Sequence, residues 1–375
     1  METLLVRVGE ITLKSERVRR RLEKKLLLNS LEALGDLTIS YELEPGRFYF
    51  YVKDPLEGAK RLSRVFGIVG IAIARRYEMD SNSLSALKRI LDRLVEDIKD
   101  EIEEPFAVRV RRVGEHSFTS VDAARVIGEA IHSLGYSVDL KNPRTVVRVE
   151  IRGRTLYVYL KEIPGPGGLP LGTEGDAIAL ISGGIDSPVA ARYTMRRGVV
   201  THFLHGLPVG SEEYLERVRE IVKVLKSRAI GENPKFFVAD MREFVEEAGK
   251  RYRKIVTILV KRRLIRVAES LSERLGAKAI VMGDSIGQVA SQTLHNMYVI
   301  DHGSSLPIIR PLAGFDKREI VDMAMKIGTY EISKKHEERA SKYARKRVLT
   351  AAPLELVREA EKELESIETP IIIEE

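Results

Sequence analysis

The sequence predicts two fold classes in succession: an α+β N-terminal half, then an α/β domain on a doubly wound parallel sheet. Three observations carry this. Strand-like alternation and helical periodicity intermix up to about Leu160, a glycine- and proline-rich stretch follows at Lys161–Gly175, and from Asp176 onward strand and helix patterns take turns, as βαβ units require.

Met1–Val8 alternates as a strand, and Glu16–Leu34 has helical spacing, with Leu22, Leu26 and Leu27 among its apolar positions. "LTISYELEPGRFYFYV" reads as two strands about a turn at Pro45–Gly46, and Ser83–Lys99 as a helix. "FAVRVRRV" and "TVVRVEIRGRTLYVYL" alternate as strands, the second folded at Arg152–Arg154, with a helix near Val121–Leu134 between them, ended by Gly135. Lys161–Gly175 reads as a linker, or else as a tight ordered connector. Beyond it come strands "DAIALI", "VVTHFLHG", "KFFVAD", "AKAIVMGD" and "LPIIRPL". The helices among them end at Arg197, span Ser211–Ser227 and Met241–Arg253, and run from about Ile255 to Leu275. Ligands of such sheets sit at the carboxyl ends of strands, where Ser182, His205 and Gly283 fall.

A chain of 375 residues holds two or three domains. Lys plus Arg is 62 against 55 acidic residues, a net charge of +7 concentrated in Arg17–Lys25, Arg109–Arg112 and Lys261–Arg266. Such clusters are either solvated faces or contacts for a polyanion such as RNA. There is no cysteine, which excludes disulfides, cysteine-ligated zinc, iron–sulfur clusters and cysteine nucleophiles. With 31% charged residues and no tryptophan, the composition fits a thermophile. Glu2, Arg7 and Glu10 break up any leader-like start, and the longest apolar run, Val65–Ala74, is too short to span a bilayer. The expectation is a soluble cytoplasmic protein with no membrane partner.

The stretch "ISGGIDSP" (Ile181–Pro188) follows the first α/β strand. Gly183 and Gly184 admit positive φ and close approach of a ligand to the backbone; Ser187 suits an N-cap and Pro188 the first helical turn. A helix N-terminus there offers N–H donors and partial positive charge, a cradle for phosphate. The Gly-Lys-Ser/Thr ending of a Walker A loop and the GxGxxG fingerprint are both missing. Asp186 suits magnesium beside phosphate. The other reading is an ordinary strand–helix turn.

"SGGIDS" after a strand resembles the PP-loop of ATP pyrophosphatases, which cleave ATP between the α and β phosphates. "RVGEITLKS" (Arg7–Ser15), "RVFGIVG" (Arg64–Gly70), "VDLKNPRTVVRVEIRGRTLYVY" (Val138–Tyr159), "MGDSIGQVASQT" (Met282–Thr293) and "IIRPLAGFDKREIVDMAMKIGTYEIS" (Ile308–Ser333) occur in the order, and with the spelling, that resembles tRNA 4-thiouridine synthetases. The resemblance implies an N-terminal ferredoxin-like domain (1–57), a THUMP RNA-binding domain (58–164), the connector (165–175) and a PP-loop adenylation domain (176–375). It implies ATP and Mg2+ as cofactors and tRNA as partner. It further implies a homodimer, and activation of O4 of a uridine, expected at position 8, before its replacement by sulfur. AMP and pyrophosphate are the other products.

Carried over by motif, Ser182, Asp186 and Ser187 are the catalytic candidates, with Asp186 also the metal candidate. Leu180, Ile181, Ser182, Gly183, Gly184, Asp186, Ser187, His205, Gly206, Lys261, Gly283 and Gln292 are the nucleotide candidates. Lys14, Arg17, Arg21, Arg109, Arg111, Arg112 and Lys141 are the RNA candidates, with His116 and Phe118 as nucleotide neighbours. For His205 the alternative is a packed strand-end histidine, for Lys261 a solvated charge, for Gln292 a surface amide.

The chain departs from the resemblance at His336–Ala344, where relatives commonly carry a cysteine and this sequence reads "HEERASKYA". The final helix, Leu354–Ile367, and "TPIIIEE" are too short for the rhodanese-like domain that many members carry. Sulfur is therefore expected from an external donor, sulfide or a carrier's persulfide. The alternatives are a non-thiolating protein that binds tRNA and ATP, and a PP-loop ligase acting on a small molecule.

Overall fold

A computed structural model describes residues 2–208, 212–334 and 348–374. The chain forms two compact units: Met1–Arg19 with Ser30–Gly167, and Arg20–Asn29 with Gly168–Glu375.

The first unit is an eight-stranded sheet of β1 (Glu2–Val8), β2 (Thr38–Glu44), β3 (Arg47–Val52), β4 (Ile68–Glu78), β5 (Phe106–Val113), β6 (Thr145–Arg152), β7 (Thr155–Tyr159) and β8 (Ile163–Pro164). Its order is β2-β3-β1-β4-β7-β6-β5, with β8 on β4. Its helices are α1 (Glu16–Leu34, whose middle belongs to the second unit), α2 (Pro55–Leu62), α3 (Leu84–Ile98) and α4 (Ser120–His132). β5 and β6 run parallel through α4, a βαβ unit, while the other pairs are antiparallel. β4 joins the ladder: Glu2–Val8 pair with Arg75–Ile68, and Arg75–Glu78 pair with Val158–Thr155. The apolar run at Val65–Ala74 supplies its first seven residues, of which Ile68, Ile71, Ala72 and Ala74 are buried, so that both faces carry packed apolar side chains while Val69 is exposed. The sequence reading passed over it and over α2, which Asp54 caps by accepting from the Glu57 N–H at 3.0 Å.

Inside this unit Arg47 (7% exposed) and Glu150 (4%) are paired across the sheet, with Arg47 Nη2 3.0 Å and Nε 3.1 Å from the carboxylate. Arg152 Nη2 lies 3.5 Å from the same carboxylate.

The connector is ordered rather than a loose linker. Gly165 and Gly167 N–H groups donate to Val69 and Ile68 in the first unit, and Leu169 and Gly172 N–H groups donate to Arg196 and Gly198 in the second. Gly168 has φ +80 and leaves no room for a Cβ against the Arg196 carbonyl, so its glycine is required twice over.

The second unit contains β9 (Asp176–Leu180), α5 (Asp186–Arg196), β10 (Val200–Leu207), α6 (Glu212–Lys226), β11 (Phe236–Asp240), α7 (Arg242–Arg251), α8 (Val256–Leu275), β12 (Ile280–Val281), α9 (Leu294–Asp301), β13 (Ile308–Ile309), α10 (Lys317–Ile327), α11 (Tyr330–Lys334), α12 (Leu354–Glu363) and β14 (Ile371–Glu374). The sheet order is β13-β12-β9-β10-β11-β14. It is the doubly wound parallel sheet the rhythm predicts, with two differences. β12 and β13 keep two paired residues each, fewer than their apolar runs suggest, and Ile371–Glu374 adds an antiparallel edge strand on β11. The core lies between sheet and helices, around Ile178, Leu204, Ile280, Leu259, Leu271 and Val357. The chain moves outward from β9 through β10 and β11, then crosses to β12 on the other side. That reversal opens a crevice at the carboxyl ends.

Replacing Glu150 by Ala leaves buried Arg47 without its carboxylate partner, while Arg152 keeps Glu44. We expect a loss of about 3–5 kcal/mol, read as a lowered midpoint of the first urea transition. A change within about 1 kcal/mol would show the pair to be structurally idle.

Candidate active site

The turn after β9 is tied to the end of β10. Ile181 N–H donates to the Leu204 carbonyl at 2.8 Å, and the Ile181 carbonyl accepts from His205 Nδ1 at 2.8 Å. A carbonyl only accepts, so the bond fixes the proton on Nδ1. His205 is buried, its ring 5.3 Å from that of Tyr214 on α6.

Two expectations about this turn need correction. α5 begins at Asp186 with Ile185 as N-cap, so Ser187 is a buried helical residue and not the cap. Its Oγ folds back to accept from Ser182 N–H at 2.9 Å and lies 3.1 Å from Ser182 Oγ. Gly183 and Gly184 are not among the positive-φ glycines. What their smallness provides is backbone access: Gly184 N–H lies 3.3 Å from Ser182 Oγ, and Gly183 N–H 3.5 Å from the Tyr214 hydroxyl. The turn's amides are thus met by hydroxyls of the chain itself. The two longer bonds are weak, and a hydroxyl can rotate to donate to an anion instead. Burial raises the Tyr214 pKa against the lowering effect of the Gly183 amide, so the phenol stays neutral. The first-turn amides of α5 have no acceptor within the helix.

β12 delivers Gly283 against this turn. A Cβ on Gly283 would fall 2.7 Å from both Ser187 N and Ser187 Cα. Gly206 plays the same part for α8, since a Cβ there would lie 2.7 Å from Leu264 Cδ2.

Next to Gly283 stands Asp284, 5% exposed. Its Oδ1 accepts from Lys261 Nζ at 2.7 Å and Gln292 Nε2 at 3.1 Å, its Oδ2 from Arg310 Nε at 3.2 Å. Arg310 also forks onto Asp301 at 2.6 Å through both terminal nitrogens. Burial pushes the Asp284 carboxyl up, but Lys261, Arg310 and Gln292 outweigh it and hold it below the usual carboxylate range. Asp186 opens the helix with Oδ1 2.7 Å from Lys317 Nζ and Oδ2 3.0 Å from Gln288 Nε2.

These groups surround a cavity of about 380 Å3. Ten nucleotide candidates line it: Leu180, Ile181, Ser182, Asp186, Ser187, His205, Gly206, Lys261, Gly283 and Gln292. Gly183 and Gly184 lie in the adjoining turn. Sequence reasoning missed Tyr214, Thr257, Asp284 and Ser291 in the lining, and Arg310, Lys317 and Gln288 behind it. Asp284 and Gln288 sat inside a quoted motif, but their roles come from pairing with distant residues. Among the described residues no group of three or more acidic or histidine side chains forms a metal cage.

The RNA candidates lie elsewhere. Lys14 and Arg17 are exposed at the start of α1; Arg21 sits 3.8 Å from Glu174. Arg109 and Arg111 are exposed on β5, and Arg109 Nη2 donates to the Leu140 carbonyl at 2.6 Å, beside exposed Lys141. Arg112 is partly buried over the Phe118 ring. Phe118 is 5% exposed, a core residue and no ready nucleotide neighbour, and His116 is engaged by the Gly153 carbonyl at 2.7 Å. His336–Ala344 lies outside the described residues. No helix among the described residues is long and apolar enough to cross a membrane.

A doubly wound sheet with an anion-compatible turn at its switch point defines a nucleotide-binding α/β domain, here of the PP-loop type. Comparison with known proteins goes further. Residues 172–366 match the family described as "Thiamine biosynthesis protein (ThiI)", 81–161 the THUMP domain and 3–72 the ThiI ferredoxin-like domain. The tRNA sulfurtransferase of Pyrobaculum aerophilum is 40% identical over 92% of this chain and 71% of its own. A probable tRNA sulfurtransferase of Caldanaerobacter subterraneus is 37% identical over 97% of this chain and 96% of its own. A crystal structure of a 4-thiouridine synthetase–RNA complex with bound ATP superposes with a TM-score of 0.84 at 30% identity over the whole of both chains. The chain belongs to the tRNA sulfurtransferase family.

Gly283→Ala should cost about 1–3 kcal/mol in thermal or urea unfolding, because the methyl meets backbone that cannot swing aside. Gly249→Ala on α7 has open space around its Cβ and should be neutral or stabilising by up to about 1 kcal/mol. Equal effects would refute the close-approach argument.

Proposed function

We propose that this protein is an ATP-dependent tRNA sulfurtransferase that adenylates O4 of a uridine and exchanges it for sulfur, giving 4-thiouridine. The observation that carries the reading is the convergence of the Ser182–Ser187 turn, Lys261 and Gln292 on one crevice at the sheet's switch point. The family membership supports it, as does the neighbour whose structure holds RNA and ATP.

The chemistry follows from a poor leaving group. The C4 oxygen of uracil is amide-like. Its attack on the α-phosphorus of ATP expels pyrophosphate and leaves an adenylated C4–O bond. A sulfur nucleophile then adds at C4, and AMP departs with the oxygen. The turn's amides and hydroxyls, the α5 N-terminus and the Lys261 ammonium stabilise the phosphates as charge shifts onto the leaving pyrophosphate. Lys317, next to Asp186, adds a second ammonium at the rim.

Mg2+ fits this site in the mode that uses one protein carboxylate and substrate phosphates: Asp186 lines the cavity, is more exposed than Asp284, and is held by one ammonium and one amide, whereas Asp284 is buried between two cations, Lys261 and Arg310. Asp186 would hold it, and the ion would supply further neutralisation of phosphate charge. The 375 residues contain no cysteine, so sulfide or a carrier's persulfide supplies the sulfur from outside them. The basic residues at the start of α1 and on β5 hold the tRNA backbone, and the enzyme acts as a homodimer.

Incubating protein, labelled ATP and unmodified tRNA with and without sulfide tests the proposal. We expect pyrophosphate release that depends on tRNA, and 4-thiouridine when sulfide is present. Asp186→Ala should abolish turnover while tRNA affinity stays within about twofold. Nucleotide binding without turnover, or turnover indifferent to tRNA, refutes the reading.

Titrating tRNA across salt should give log K falling with log salt at about 0.9 per neutralised phosphate or somewhat less. A flat dependence removes the basic patches from the RNA contact.

A further inference from the structure

The second unit's sheet ends on β14, and no described strand pairs with the outer edge of that strand. Ile372 and Ile373 point to opposite faces of it and are 57% and 55% exposed. Soluble proteins usually blunt such an edge with lysine, proline or a covering segment. Three successive isoleucines, Ile371–Ile373, do the reverse and suit the edge to receive a further strand.

The two ends of β14 differ in charge. Ile373 and Glu374 border a cleft of about 540 Å3, floored by Phe237, Leu271 and Leu275 and rimmed by Lys226, Lys235 and Arg274. Among the described residues none of these three cations forms an ion pair. The one carboxylate in the lining, Glu374, is already committed to Arg219, whose Nε and Nη2 each lie 3.0 Å from one of its oxygens. At the other end the chain enters β14 through Glu365–Pro370. There Glu365 and Glu368 are exposed and likewise form no ion pair among the described residues.

We propose that β14 is an interface between two copies of this chain, paired antiparallel about a two-fold axis between Ile372 and Ile373. The inference rests on the homodimer reading above and deepens it, and it uses nothing of the ATP site. Antiparallel pairing reverses the strand, so the Glu374 end of each copy meets the Ile371 end of the other. The segment leading into the second copy's β14 then runs on past Glu374 at about 3.3 Å per residue, which carries its Glu368 about 10 Å further, toward the cationic cleft. The same two-fold sets Glu365 and Glu368 of the first copy against the cleft of the second. A strand with cations at one end and carboxylates at the other is complementary to itself only in this direction, because parallel pairing would set like charges together. A nucleic-acid phosphate would suit the cations alone, and would leave the open strand edge and the carboxylates at its other end without a role. The joined sheet takes six strands from each copy. Since the strands of one copy run against those of the other, the two crevices open at opposite ends and neither is covered.

Analytical ultracentrifugation of the intact protein tests this. The wild type should sediment as a dimer at concentrations of about 10 µM and above. Two variants reverse the charged ends: Lys235→Glu with Arg274→Glu, and Glu365→Lys with Glu368→Lys. All four side chains are exposed, so the fold is spared, and an unchanged urea midpoint verifies it. Each variant alone brings like charges together and should dimerise about tenfold more weakly or worse. Mixed in equal amounts, the two should form a mixed dimer within about threefold of the wild-type affinity, since both charged contacts of the two-fold are then opposite in sign. A single chain carrying all four reversals should dimerise like the wild type. If the wild type is dimeric and the reversals change nothing, or mixing fails to restore a weakened dimer, the interface lies elsewhere and the inference is overturned while the homodimer reading stands. A wild type still monomeric at about 100 µM overturns both and leaves the adenylation reading untouched.

Discussion

The arrangement of the site depends on how closely β12 approaches the start of α5. Gly283 has no space for a single carbon against Ser187 N and Cα. That contact brings the next residue, Asp284, to the crevice floor, where one carboxylate holds Lys261 from α8, Gln292 from the following loop and Arg310 from beyond β13. Three elements far apart in sequence are therefore registered on the Ile181–Pro188 turn through one steric limit and one buried charge. Moving β12 outward would shift Lys261 and Gln292 together, so the polar ends of the cavity move as a unit.

The charges close on themselves. Lys261, Asp284, Arg310 and Asp301 alternate in sign, and Asp186 is matched by Lys317. The side chains at the crevice are thus close to neutral in sum, and the pull on an anion comes from oriented groups: the α5 N-terminus, the turn's amides and hydroxyls, and the unused hydrogens of two ammonium groups. An ammonium already held by a carboxylate at 2.7 Å needs little further ordering when a phosphate arrives. The same loop presents two glutamines, Gln288 and Gln292, each with its NH2 end on a carboxylate, so carboxylates set the amide orientations on both sides.

What the sequence disclosed follows from how local each signal was. The α/β rhythm and the turn at Ile181–Pro188 were legible because strand, turn and helix are contiguous. β4 was not, because a strand covered on both faces loses its alternation and reads as a bare apolar run. The N-cap assignment of Ser187 failed by two residues: Ile185 is the cap, and the Ser187 hydroxyl turns back to accept from Ser182 N–H within the turn. Asp284, Arg310 and Lys317 looked like ordinary charges, since their meaning resides in partners 23, 26 and 131 positions away. Phe118 misled in the opposite direction, an aromatic among arginines whose ring belongs to the core.

The absence of cysteine shapes how such a site can work. A thiol in the chain could wait beside the activated base, shielded from water. On the proposed reading, with no cysteine in these 375 residues, the crevice would have to stay reachable after pyrophosphate leaves, because the sulfur nucleophile would come from solvent or from a carrier. Full closure, the usual protection of a reactive ester from hydrolysis, is therefore at odds with sulfur entry. Selection has to be made earlier, when the nucleotide and the base are admitted. On that reading a floor of paired charges suits the task, since Lys261 and Arg310 are already held by Asp284 before any nucleotide arrives.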